Sequence, residues 1–214
     1  MKNLRSKWLV LSALLLLSSA VFAEEAKTIF YNFEGRVTLM RYGKGTPANF
    51  DLPFQTGDIF KIDTDSFLDI TMHYLAAVKF EALSECRVVN ASESEMHLDL
   101  KKGMAKANVK GLPTGTRFFL ETPLGIAKVR ELTPSQLAVW ISKDKDGKMV
   151  CSFASKKGTL DIQAKTSSST MVIYESQIIE IHEDGFVSAP RQVNEEEEKI
   201  TDKISSVYIA PKPD

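Results

Sequence analysis

The residues able to do chemistry in this chain are few and scattered. Three histidines, His73, His97 and His182, stand far apart with no cysteine beside them, so they do not make the clustered nitrogen and sulfur set that holds zinc. Asp63, Asp65 and Asp69 have a superficial calcium-loop spacing. The glycine expected at the sixth position and the closing bidentate glutamate are missing, and Asp69 falls inside a strand-like run, so the segment reads as a solvated turn. Ser167, Ser168 and Ser169 sit in a loop with no histidine near enough in sequence to activate them. No Gly-x-Ser-x-Gly elbow, His-Glu-x-x-His pair or phosphate-cradling loop occurs. The 28 acidic residues include none in an apolar context that would raise its pKa for acid catalysis. The expectation is a protein that is not an enzyme and carries neither cofactor nor metal.

Two cysteines and a few aromatics remain. Cys86 and Cys151 each lie in an alternating run that turns the sulfur to the apolar face. A disulfide and two buried free thiols, which behave as small hydrophobes, are both compatible with that placement. Phe118 and Phe119 are adjacent, and Val139 and Trp140 likewise, so alternation buries one of each pair and exposes the other. Phe119 and Trp140, with Arg117 and Arg130, are therefore the candidate binding residues, as a sugar-stacking or protein-docking patch. The alternative is a core with two filled faces, in which both aromatics are simply buried.

These side chains must be positioned by short strands. The stretch Leu112–Leu132 holds a turn, a strand with Phe118, Leu120 and Thr122 on one face and Arg117, Phe119 and Glu121 on the other, a break at Thr122-Pro123, and a second strand. The same rhythm precedes it: Val37 and Leu39, then Leu68, Ile70 and Met72, then Met96, Leu98 and Leu100 alternate as core residues, with His97 and Asp99 facing out. Arg41 to Pro53 is polar and rich in glycine and proline, and reads as a loop. Gly57 frees the backbone for a turn in which Asp58 can bond local amides. Asp146-Gly147 marks a hairpin tip between apolar flanks. More than ten such strands without helical crossovers indicate an all-β fold, expected as a compact β-roll or irregular β-solenoid.

The ends differ in character. Lys2, Arg5 and Lys7 precede an apolar run of 15 residues from Trp8 to Phe22, closed by Val21-Phe22-Ala23. This is the pattern of a secretory signal peptide over residues 1–23, and the run is shorter than the ~20 residues that span a bilayer. The expected protein is exported, periplasmic or secreted, and touches a membrane only if that segment stays uncleaved. Without it, 191 residues remain with 24 basic and 28 acidic side chains, a balance of −4. No basic face is available for nucleic acid. Residues 24–190 make the β domain, and 191–214, which contain Glu195–Glu198, are expected as an acidic, mobile tail whose only apolar anchors, Ile204, Val207, Tyr208 and Ile209, could add a terminal strand or a short helix.

Several of these pieces occur in an order that resembles the FecR-like periplasmic domain. They are Gly35-x-Val37, Gly57-Asp58-x-Phe60, Leu98-x-Leu-x-x-Gly103, Gly115-Thr-Arg-Phe118 leading to Glu121-Thr-Pro123 and Val129-Arg130, Gly158-x-Leu160, and the segment Gln177 to Pro190 with Asp184-Gly185. The family's Val-Arg-Gly-Thr is here Val129-Arg130-Glu131-Leu132. The resemblance covers about Phe33 to Pro190. It implies the fold and a habit of protein contact in the cell envelope, as scaffold or signal relay, with another envelope protein as partner. Family members carry a cytoplasmic segment that controls a sigma factor; seven residues precede the apolar run here, so that role is not expected of this chain. A carbohydrate or cell-wall binding module is the alternative.

Overall fold

The computed structural model describes residues 29–49 and 54–209. The expected signal peptide lies outside the described residues.

Two sheets pack face to face. In sheet I the order is β1 (Ile29–Glu34), β5 (Phe67–Met72), β6 (Ala76–Phe80), β9 (Met104–Val109), β12 (Ser135–Lys143), β13 (Met149–Lys157), β16 (Gln177–His182) and β17 (Arg191–Gln192). In sheet II it is β3 (Lys44–Pro47), β2 (Val37–Arg41), β4 (Ile59–Ile62), β7 (Glu85–Ser92), β8 (Glu95–Lys102), β10 (Arg117–Glu121), β11 (Gly125–Val129), β14 (Leu160–Ala164) and β15 (Thr170–Ile173). The apolar sets read from alternation meet in one core: Val37 and Leu39, Leu68, Ile70 and Met72, Met96, Leu98 and Leu100, and Phe118 and Leu120 are all buried in it. The segment 41–53 was expected as loop throughout, yet Lys44–Pro47 folds back on β2 as an edge strand. Every residue of β3 is exposed and it ends in proline, which suits an edge whose outer amides need no partner.

The strand numbers run almost monotonically across both sheets, because the chain shuttles between them and lays each pass beside the last. That much is a roll. A solenoid would stack successive coils in parallel, and among the described ladders only β8 with β10 is parallel. The solenoid expectation gives way to a two-sheet antiparallel sandwich. Alternation reports which face a residue takes, but not the direction of its neighbour.

Glycine and serine make the corners where the chain changes sheet. Gly35 (between β1 and β2), Gly103 (between β8 and β9) and Gly158 (between β13 and β14) all have positive φ. Each lies against the serine of another crossing: a Cβ added to them would meet Ser66, Ser84 and Ser135 respectively. Those serines are buried and bonded. The Arg36 N–H donates to Ser66 Oγ at 2.9 Å, and the Met104 N–H to Ser84 Oγ at 3.0 Å.

Of the readings open for the acidic end, the structure shows the short helix. Helix α1 (Glu195–Asp202) is capped by Asn194, whose side chain accepts from the Glu196 and Glu197 N–H groups while Glu197 accepts from the Asn194 N–H. This reciprocal cap, with four glutamates in the first turn beside the positive end of the helix dipole, explains why a like-charged run is helical. After a 3-10 turn (Lys203–Ser206), Val207 O accepts from Asn108 Nδ2 at 3.1 Å. This strap packs on the outer face of sheet I, where Ala138 and Ala154 are small enough to let it approach, and it buries Thr201, Ile204 and Val207. An eight-residue helix is marginal alone, so docking stabilises it. Ile204→Asp is expected to remove about 2–4 kcal/mol of docking free energy. Limited proteolysis should then cut within 191–209 while the sandwich keeps nearly its full melting temperature.

Candidate functional site

The parallel pairing of β8 with β10 sets Glu95 opposite Arg117, His97 opposite Phe119 and Asp99 opposite Glu121. Because Met96, Leu98, Leu100, Phe118 and Leu120 occupy the core, these six side chains must project from the outer face of sheet II. β11 adds Lys128 opposite Phe119, and β7 adds Arg87 opposite Asp99.

The face is built from paired charges. Arg117 Nη2 forms an ion pair with Glu95 Oε2 at 2.7 Å. His97 Nε2 lies 2.7 Å from Glu121 Oε2, and Lys165, from the loop after β14, reaches the other Glu121 oxygen. Asp99 Oδ2 receives Arg87 at 2.9 Å and Lys101 at 2.5 Å. Expected to face out, Asp99 does so by alternation but is fully buried, because both cations stand between it and solvent. Its Oδ1 has no partner among the described residues. Phe119 is half-buried, with the His97 ring 5.4 Å away and tilted by 54°, and the Arg117 guanidinium carbon 6.0 Å from its ring centre. Arg130 donates from Nε and Nη2 to Asp161 Oδ1 at 2.9 and 2.7 Å, which raises its pKa further above the usual guanidinium value.

Burial pushes the Glu121 carboxyl up, but its bonds to Lys165 and His97 outweigh that and hold it below the ordinary carboxylate value. A depressed carboxylate adds stability above its unfolded pKa and loses it as pH falls through the folded one. Glu121→Gln should therefore be less stable than the parent at neutral pH. The two denaturation midpoints should converge as pH drops through and below the 4–4.5 region.

The other expected site residues are placed elsewhere. Trp140 lies in β12 of sheet I, between Met104 and Ser152, so it shares no face with Phe119 and the two form no joint stacking platform. Cys86 in sheet II and Cys151 in sheet I are free and buried; burial raises both thiol pKa values, so neither presents a thiolate. His182 packs on Phe186 with ring centres 5.4 Å apart, and His73 occupies the β5–β6 turn. Asp63 accepts from the Thr64 N–H and lies 3.9 Å from Arg36 at a corner, while Asp69 is in β5. Among the described residues no group of three or more His, Cys, Asp or Glu could hold a metal ion. No hydroxyl or thiol among them bonds to His97.

Sequence reasoning found Arg117 and Phe119 but missed Glu95 and His97 as their partners, and the Asp99 and Lys165 ion pairs beside them. The outward alternation of His97 and Asp99 was the available signal. Their neighbour across the parallel ladder lies more than twenty residues away, and Lys165 comes from another loop entirely.

No family model and no curated protein matches the chain. Among solved structures it is similar to two crystal structures of a candidate anti-sigma factor from Parabacteroides distasonis, at 2.50 and 1.65 Å resolution. Each superposes with a TM-score of 0.53 at 13% identity, over 66% of this chain. The chain matches 62% of that protein's length. At this identity the likeness establishes a shared fold over the matched part and nothing more.

Proposed function

We propose that this chain is an exported, non-enzymatic domain that works by protein–protein contact in the cell envelope, as a regulatory relay or scaffold. The observation that carries the reading is the outer face of sheet II. There, acids and bases alternate in fixed pairs around one half-buried aromatic, an arrangement suited to reading a complementary protein surface. A catalytic site would need a nucleophile beside its base, and His97 is engaged with Glu121 instead. The leader-like N-terminus supports export. The description of the fold neighbours as a candidate anti-sigma factor supports a regulatory contact rather than a metabolic one. With Phe119 and Trp140 on different sheets, the sugar-platform alternative loses its geometry.

The test uses the full chain in its own cells, with a photoreactive residue replacing Lys128 beside Phe119. Light should yield a single adduct with an envelope protein, lost when Arg117→Glu inverts the neighbouring charge. Adducts with glycan or lipid alone, or none at all, set the reading aside.

A further inference from the structure

One end of the sandwich differs from the other in a way the outer face of sheet II does not explain. At the end where β2 turns into β3, β5 into β6, β11 into β12 and β15 into β16, the chain places Tyr42, His73, Tyr74, Leu132 and Ser176 at positive φ. The opposite end has Asp65 and Leu83 among the described non-glycine residues. The same end exposes Tyr42 (90%), Tyr208 (73%), Leu132 (71%) and Tyr174 (58%). Bulky side chains in the left-handed region are strained, and strain kept where glycine or asparagine would relieve it points to a use.

His73 and Tyr74 are the sharpest case. They are the two central residues of the β5–β6 turn, closed by the Leu75 N–H donating to Met72 O at 3.0 Å. Positive φ at both is the geometry for which Asn-Gly is the low-strain choice. Their side chains line a groove of about 450 Å³ together with Glu93 and Ser94 of the β7–β8 turn and Thr114 and Thr116 ahead of β10. Glu93 is the only carboxylate in that lining, which holds no lysine or arginine.

We propose that this groove receives a basic segment of a protein partner, with Tyr74 packing against its apolar flank and Glu93 as the countercharge. Tyrosine offers a large amphipathic surface with few rotors to freeze, and the strained turn presents it already ordered. The inference rests on the protein-contact reading and adds a second contact point to it, at the end of the sandwich.

The test titrates the full-length protein with two capped pentapeptides, Gly-Arg-Leu-Thr-Gly and the same peptide with glutamate in place of arginine, followed by amide NMR. The arginine peptide should shift Tyr74, Glu93 and Thr114, about three-fold more tightly than the glutamate peptide. Glu93→Lys should reverse that order. Tyr74→Ala, which leaves the bond between His73 Nε2 and Ala91 O in place, should lose the response while its melting temperature stays within a few degrees of the parent, which separates recognition from folding. Equal binding of both peptides, an order unchanged by Glu93→Lys, or shifts produced only by a chitin trisaccharide would each overturn it. Loss of this peptide response with an intact Lys128 adduct would sink the groove and spare the protein-contact reading; loss of both would sink the two together.

Discussion

Gly103→Ala is expected to lower the stability of the domain by about 3 kcal/mol, from ~1–2 for a β-carbon in the left-handed region and ~1–3 for overpacking. Gly103 has φ +87, and the added Cβ would lie 2.6 Å from Ser84 Cα and 2.8 Å from Ser84 Cβ. Backbone cannot step aside as a flexible side chain can. Two sheet crossings meet there, so the displacement would also disturb the bond from the Met104 N–H to Ser84 Oγ. Gly147 is the control: its φ is +79 at the β12–β13 hairpin tip, but nothing lies within 4 Å of its added Cβ. Gly147→Ala should cost only about 1 kcal/mol. Urea denaturation of both variants checks the contrast. Equal losses would mean that backbone conformation alone, and not the Gly–Ser contact, sets the requirement at the corners.

Phe118→Ala is expected to cost about 3–5 kcal/mol, the range for emptying a large aromatic site in a core. Its neighbour Phe119→Ala should cost about 1 kcal/mol or less, since Phe119 is half-buried and its ring contacts are weak individually. Phe118 is fully buried in β10, between β8 and β11. The difference between adjacent, chemically identical residues isolates burial from residue type. Thermal melts read the first effect, and the Lys128 adduct reads any role of Phe119 in contact. A Phe119→Ala protein as unstable as Phe118→Ala would show that burial does not distinguish the two positions.

Much of the architecture was legible in residue order. Alternation assigned the core faces of β2, β5, β8 and β10 correctly, and Asp146-Gly147 marked the β12–β13 hairpin. These signals are local: the pleat fixes the face of each residue, and a tight turn needs particular residues at its tip. The tail was less legible, for a related reason. Four successive glutamates repel one another in an isolated chain, but Asn194, the Arg191–Glu197 pair and the docking of Ile204 supply what the run lacks, and only Asn194 is its near neighbour in a sense that composition could register.

The sequence by itself determined an all-β chain, its buried and outward faces, and the corner glycines, because each depends on backbone conformation within a few residues. The tertiary structure decided that the strands form an antiparallel two-sheet sandwich and that Phe119 and Trp140 part company onto different sheets. It also decided that β8 and β10 run parallel, which brings Glu95 to Arg117 and His97 to Glu121. Those outcomes depend on which distant strand becomes a neighbour. That choice is made by burying all the apolar faces at once, and no window of a few residues contains it.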